Sequence, residues 1–242
     1  MILTWSFDTI IMFLSIFPIG AAFIISSYQY YRNRYQVSFF FSLGWFCAIF
    51  WSLFYALSEL FILDPSSAAQ IFYVIGTFCL YPIGFMIVFM TDYISGQSVN
   101  SIKMAVVTGF TVPLALNRIN IVPIDPSFYI LYEFMYMFYI GMLLLYYFVR
   151  IHLNTPESIK NYSKLALLGS LFICILSTLG NLLFGLGAMM GLFGIGALII
   201  SIVILKEPKL LFVLPFKVSR LAVIDRSGLP FFPSTGGVLK TL

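Results

Sequence analysis

Long apolar runs dominate the chain, and polar residues gather in the short segments between them. Seven runs have the length that a helix needs to cross the hydrocarbon core of a bilayer, about 20 residues. We predict spans at roughly 5–28, 37–61, 69–93, 102–117, 127–149, 164–184 and 187–205. Apolar and polar residues do not alternate within these runs, and this disfavours transmembrane β-strands.

The runs differ in length and in how clearly they are separated. The fourth is the shortest and contains Pro113, whereas only Gly185 and Leu186 separate the last two, which predicts a tight helical hairpin. Gly187 and Gly191 have the spacing of small residues that permits close helix contact. We favour an internal contact, between the sixth and seventh spans, and a contact between subunits is the open alternative.

The composition fits a protein whose main solvent is lipid. Of the 242 residues, 61% are hydrophobic and 9% are charged, whereas a soluble domain carries about 25% charged residues. We therefore predict an all-α, multi-pass protein of the cell membrane. Residues 1–205 would form a seven-helix transmembrane bundle, and residues 206–242 a cytoplasmic tail.

The basic residues predict the orientation of the bundle. With seven spans, 12 of the 13 Lys and Arg residues fall on one side of the membrane, and only Arg118 falls on the other. Loops rich in Lys and Arg stay in the cytoplasm. The N-terminus is therefore expected outside and the C-terminus inside.

The tail has a different pattern. Residues 220–225 read as a β-strand, Arg226-Ser227-Gly228 supply a turn, and residues 229–232 read as a returning strand. A lone hairpin is marginally stable in water. The hairpin is therefore expected to dock, to pair with a partner or to begin a larger domain. A flexible tail with apolar anchors is the open alternative.

Few residues offer chemistry. Glu133 is the one clear ionisable residue inside a span, and such residues are candidates for function. With Glu59 and Arg118 it could form a polar pocket that faces outward, and Asn181 could bind a ligand or join helices. The alternatives are that Glu133 only packs and that Glu59 and Arg118 are solvated.

Several functions are disfavoured. His152 has no Cys or second His nearby, so we expect no metal site. Phosphate-binding and catalytic motifs are missing, and we expect no enzyme activity, cofactor or nucleic-acid partner. The last predicted span, 187–205, contains no lysine, and this excludes the Schiff base that a retinal protein forms there.

Some features resemble a known family. They are the segment Tyr30-Tyr31-Arg32-Asn33-Arg34, Trp45 and Trp51 in the second span, and the exit Lys206-Glu207-Pro208. This pattern is similar to the seven-helix N-terminal sensor region of archaeal and bacterial histidine kinases. Residues 218–232 resemble the start of PAS-like or longin/roadblock-like cytoplasmic domains. The sequence departs from the kinases because it has no phosphoacceptor or ATP-binding domain.

The resemblance implies a sensor. A small or lipidic ligand would bind in the bundle near Glu133, and helix movement would be relayed to a cytoplasmic signalling partner. Membrane lipids and a second copy of the chain are further expected partners. A transporter or lipid-handling protein is one alternative, and a structural subunit of a membrane complex is another.

Overall fold

The computed structural model describes residues 6–61, 67–94, 99–119 and 125–212, together with the segments 223–224 and 230–231. Helices form almost all of this part, which confirms the all-α class. Their bounds are α1 Phe7–Asn33, α2 Gln36–Leu60, α3 Ser67–Ile94, α4 Ser101–Arg118, α5 Pro126–Asn154, α6 Glu157–Phe184 and α7 Leu186–Lys206, followed by a 3₁₀ turn at Pro208–Phe212.

Six of these described helices are long and apolar enough to cross a membrane, and α4 is the exception. This finding makes the chain a multi-pass membrane protein. The fourth predicted span does form a helix, but its 18 residues include Lys103, Pro113 and Arg118. The structure therefore supports six spans by length and apolarity, and the seventh span remains a prediction.

The helices form a closed ring. Each helix packs against the next along the chain, α7 closes on α1, and α3 also touches α5. The start of α1 meets the turn between α6 and α7, where Asp8 lies beside Gly185. Arg118 at the end of α4 meets Tyr73 near the start of α3. We call this side of the ring the Arg118 end and the opposite side the Lys103 end.

The side chains are arranged as lipid solvation requires. Large apolar side chains cover the outside, and Phe17 and Leu183 are more than 70% exposed. Hydroxyl groups lie inside, where the Oγ atoms of Ser15 on α1 and Ser52 on α2 are 2.7 Å apart and both lie within hydrogen-bond distance of the carbonyl oxygen of Met12. Polar groups in a bilayer need partners within the protein, and these serines find theirs between two helices.

The glycines of α7 pack against a different helix from the one expected. A Cβ atom on Gly187 would lie 2.8 Å from the backbone of Asp8, and one on Gly191 would lie 3.1 Å from Ile11. Both neighbours belong to α1. The contact is internal, as predicted, but its partner is the first helix, because α7 closes the ring there.

The contact between α6 and α7 depends on another glycine pair. A Cβ atom on Gly196 would lie 2.5 Å from the carbonyl oxygen of Gly169, and one on Gly169 would lie 3.0 Å from that of Gly196. The two backbones therefore touch where neither residue has a side chain. The hairpin between these helices is confirmed, and Gly185 makes its turn with a φ of 94°.

Only a short part of the tail is described. Residues 223–224 pair antiparallel with 230–231, with Val223 opposite Phe231. The predicted turn at 226–228, most of the first predicted strand and half of the second lie outside the described residues, as do the tail cations Lys217, Arg220, Arg226 and Lys240. The β-hairpin therefore remains a prediction.

We predict that Gly196→Ala destabilises the bundle by about 1–3 kcal/mol, because a methyl group there forces two backbones apart. The measurement is the thermal unfolding midpoint in detergent. Gly20→Ala is the matched control, because a Cβ atom there meets nothing within 4 Å, and its midpoint should stay level or rise. Equal midpoints for both variants would refute the glycine contact.

Candidate functional site

Arg118 is clamped between two tyrosine rings at the Arg118 end. Its guanidinium carbon lies 4.2 Å from the ring centre of Tyr73 and 4.0 Å from that of Tyr129. Its nitrogens donate to the hydroxyl oxygens of the same two tyrosines at 2.7 and 2.6 Å. Such stacking suits the flat guanidinium group. The side chain is only 17% exposed, so it belongs to the bundle.

Glu133 on α5 is the counter-charge of Arg118. Its Oε2 atom lies 3.7 Å from an Arg118 nitrogen, and its Oε1 atom accepts a hydrogen bond of 3.3 Å from the Tyr55 hydroxyl. Each carboxylate oxygen therefore faces one donor, and the two charges compensate each other. An uncompensated charge in hydrocarbon is costly, and this pairing offsets part of that cost.

Tyr55 connects the ion pair to α2 and α3. Its hydroxyl lies 3.0 Å from that of Thr77, which donates to the carbonyl of Tyr73. The rings of Tyr55 and Tyr73 stack with centres 4.9 Å apart. The result is one polar network that joins α2, α3, α4 and α5, and we call it the Arg118 network (Tyr55, Tyr73, Thr77, Arg118, Tyr129 and Glu133).

A cavity of about 470 Å³ lies next to this network. Glu133, Tyr55 and Tyr73 form one wall, and α6 contributes the polar side chains of Ser177, Thr178 and Asn181. The other lining residues are mostly apolar: Trp51, Leu80, Ile130, Leu131, Phe134, Met137, Ile173, Leu182, Leu186 and Met189. A largely apolar cavity with a few polar groups has the character of a ligand pocket.

A π-helical turn shapes the α6 wall. It covers Phe172–Leu176, and such turns are frequent at functional sites. The hydroxyl groups of Ser177 and Thr178 donate back to carbonyls of this turn, those of Ile173 and Cys174. Both hydroxyl protons are thus engaged within α6 and are not available to a ligand.

Two polar groups in the lining have no hydrogen-bond partner among the described residues. They are the indole N–H of Trp51, which is buried, and the side-chain amide of Asn181. A ligand could therefore donate to or accept from the amide and accept from the indole. Glu133 adds an acceptor on the opposite wall. The cavity thus combines apolar contact with three polar positions.

The four predicted site residues lie at different positions relative to the cavity. Glu133 and Asn181 line the same cavity, and Arg118 supports Glu133 from the end of α4. Glu59 does not line the cavity, and it interacts electrostatically with Asp8 at the start of α1. Arg118 is the last residue of a helix, whereas the alternative interpretation had it solvated in a loop. The role of all four in ligand binding remains a prediction.

Sequence reasoning missed the tyrosines. Tyr55, Tyr73 and Tyr129 complete the network, and Trp51 brings a free donor to the cavity. The chain has 15 tyrosines, and aromatic residues at helical spacing are common in any buried helix. No signal in the sequence separates these three from the others.

Comparisons of the chain with protein-family models, curated proteins and solved structures gave no match.

We predict that Arg118 and Glu133 are energetically coupled. In a double-mutant cycle of Arg118→Gln and Glu133→Gln, the coupling should be about 1–3 kcal/mol, since each single change leaves one charge unpaired. The readout is the free energy of reversible unfolding in mixed detergent micelles. The exposed pair Glu157 and Lys160 is the control and should show no measurable coupling. Additive effects at Arg118 and Glu133 would contradict this prediction.

Proposed function

We propose that the chain is a membrane sensor or receptor-like module that binds a small or lipidic ligand in the 470 Å³ cavity. The observation that carries the proposal is that three residues of the Arg118 network, Tyr55, Tyr73 and Glu133, also line this cavity. A ligand that hydrogen-bonds Glu133 would compete with Tyr55 and Arg118 for the carboxylate. Binding would thus change the hydrogen bonds of the network that joins α2, α3, α4 and α5.

Charge compensation limits the class of ligand. Arg118 and Glu133 together carry no net charge, and the lining otherwise holds neutral side chains. A strongly charged ligand would gain no counter-charge and would lose its hydration. We therefore favour an uncharged or zwitterionic amphiphile with one polar group near Glu133 and an apolar body along α5 and α6.

Signalling needs two arrangements of the bundle with different affinities for the ligand. In this proposal the ligand loosens the Arg118 network, and the change is read at the Lys103 end and in the tail. A cytoplasmic signalling partner or a second copy of the chain would receive it. The resemblance to the sensor region of histidine kinases favours this direction of relay.

We further propose that α4 is a seventh span, with the N-terminus outside. Two contacts at its opposite ends support this. Lys103 at its start pairs with Asp92 near the end of α3, and Arg118 at its end bonds Tyr73 near the start of α3. From Tyr73 to Asp92 a helix rises about 28 Å, close to the thickness of the hydrocarbon core. α4 therefore runs alongside most of a membrane-length helix.

Cysteine labelling across the membrane tests the span. Ser101→Cys and Ile119→Cys lie at the two ends of α4 and are exposed, and the background replaces Cys47, Cys79 and Cys174 with Ala. In intact cells, an impermeant maleimide should label position 119. It should label position 101 only after the membrane is permeabilised. Labelling of both positions from the same side would mean that α4 does not cross.

Ligand binding is tested with a panel of monoacylglycerols, fatty alcohols and lysophosphatidylcholine on the full chain in nanodiscs. At least one should change the tryptophan fluorescence, since Trp51 lines the cavity. It should also change hydrogen exchange at residues 99–104 and 206–212. Glu133→Gln should weaken binding about tenfold or more, because the carboxylate's hydrogen bond is lost, while the circular dichroism of the bundle is kept.

The matched control is Glu59→Gln, which makes the same change outside the cavity lining and should leave binding unchanged. Two outcomes would overturn the sensor proposal. Movement of the bound compound across liposomes, with no change in hydrogen exchange, would favour a transporter or lipid-handling protein. Absence of binding by the whole panel would favour a structural subunit of a membrane complex.

A further inference from the structure

A second cavity, of about 210 Å³, lies at the Lys103 end, far from the Arg118 network. α3, α4 and α5 enclose it, and its lining is more polar than that of the first: Thr91, Asn100, Lys103, Leu143, Tyr146, Tyr147 and Arg150. The volume is several times the roughly 30 Å³ that one water molecule occupies. It has room for a group of several heavy atoms.

The charges around this cavity do not balance. Lys103 is paired with Asp92, whose other oxygen accepts the backbone N–H of Asn100 at 2.7 Å. Arg150 has no carboxylate partner among the described residues. The lining and its nearest acid therefore carry one surplus positive charge. The N-terminal turn of α4 and the C-terminal turn of α3 both border this space, so their peptide dipoles oppose each other and the surplus charge comes from Arg150.

An unused hydrogen-bond donor lies in the same lining. Tyr147 is 3% exposed, and its hydroxyl has no hydrogen-bond partner in the described part of the chain. Tyr147 lines the same cavity as Arg150 and Lys103. A buried hydroxyl without a partner is costly. A bound anion would supply the missing acceptor.

We infer that this cavity binds a phosphate group, held by Arg150, Lys103 and the Tyr147 hydroxyl. The position favours a phospholipid headgroup as the source. Tyr146, in the lining, is 63% exposed on the outer surface of the ring, and Met142 one turn away is 41% exposed. Acyl chains could follow this apolar face of α5 while the phosphate enters the cavity.

The test uses the full chain purified in dodecyl maltoside. It is titrated with dioleoyl phosphatidylglycerol, with dioleoylglycerol, which lacks the phosphate, and with inorganic phosphate at constant ionic strength. Native mass spectrometry gives the affinity, and the unfolding midpoint gives the stabilisation. The phosphatidylglycerol should bind at least about fivefold more tightly than dioleoylglycerol.

The variants are chosen as matched pairs. Tyr147→Phe removes only the hydroxyl group and Arg150→Gln only the charge, and each should weaken phosphatidylglycerol binding about fivefold or more. Tyr31→Phe and Arg32→Gln are the controls, since both residues are exposed at the same end of the ring on α1. They should leave the affinity within about twofold. If the Arg150→Gln variant does not fold, the affinity for phosphatidylglycerol is measured with Arg150→Lys and Tyr147→Phe instead.

Three outcomes are informative. Equal affinity for the phospholipid and for dioleoylglycerol would overturn the phosphate site. Equal effects of the two variants and their controls would do the same. Binding of inorganic phosphate that Tyr147→Phe weakens, without any preference for the phospholipid, would support the phosphate site and overturn its lipid source.

Discussion

The need to satisfy polar groups inside a hydrocarbon solvent organises this molecule. The outer faces of the helices carry large apolar side chains, whereas many hydroxyl groups, together with Gln29 and Asp92, are buried inside the ring. One of the hydroxyl groups of Ser15 and Ser52 donates to the other between α1 and α2, and the second proton is within reach of the Met12 carbonyl. The Arg118 network follows the same rule with opposite charges, because Arg118 and Glu133 compensate each other inside the ring.

The same constraint explains how the least apolar helix is held. α4 has too few apolar residues to qualify as a span by composition, and it joins the ring through polar contacts at both ends. Arg118 binds tyrosines of α3 and α5 at one end, and Lys103 binds Asp92 at the other. Between these ends, Phe110 packs against tyrosines of α5. Charge pairing and aromatic packing thus replace the apolar surface that α4 lacks.

The two cavities differ in the balance of charge around them. At the Arg118 end the opposite charges cancel, and the unpartnered groups are a neutral amide and an indole N–H. At the Lys103 end one arginine is left without a described counter-charge, beside a buried hydroxyl without a partner. The first arrangement suits a neutral or zwitterionic amphiphile, and the second suits an anion.

The sequence by itself determined the solvent, the helical class and the positions of the apolar helices, because burial in lipid requires long apolar runs and these are visible in the chain. It also singled out Glu133, since an ionisable residue inside a span is rare. Only the tertiary structure decided which groups meet. It brought Arg118 and three tyrosines to Glu133, kept Glu59 apart and turned Gly187 and Gly191 toward α1. Some of these contacts join residues from opposite ends of the chain, as Gly187 and Asp8 do. They depend on the order and rotation of the helices in the ring, which helical periodicity leaves open.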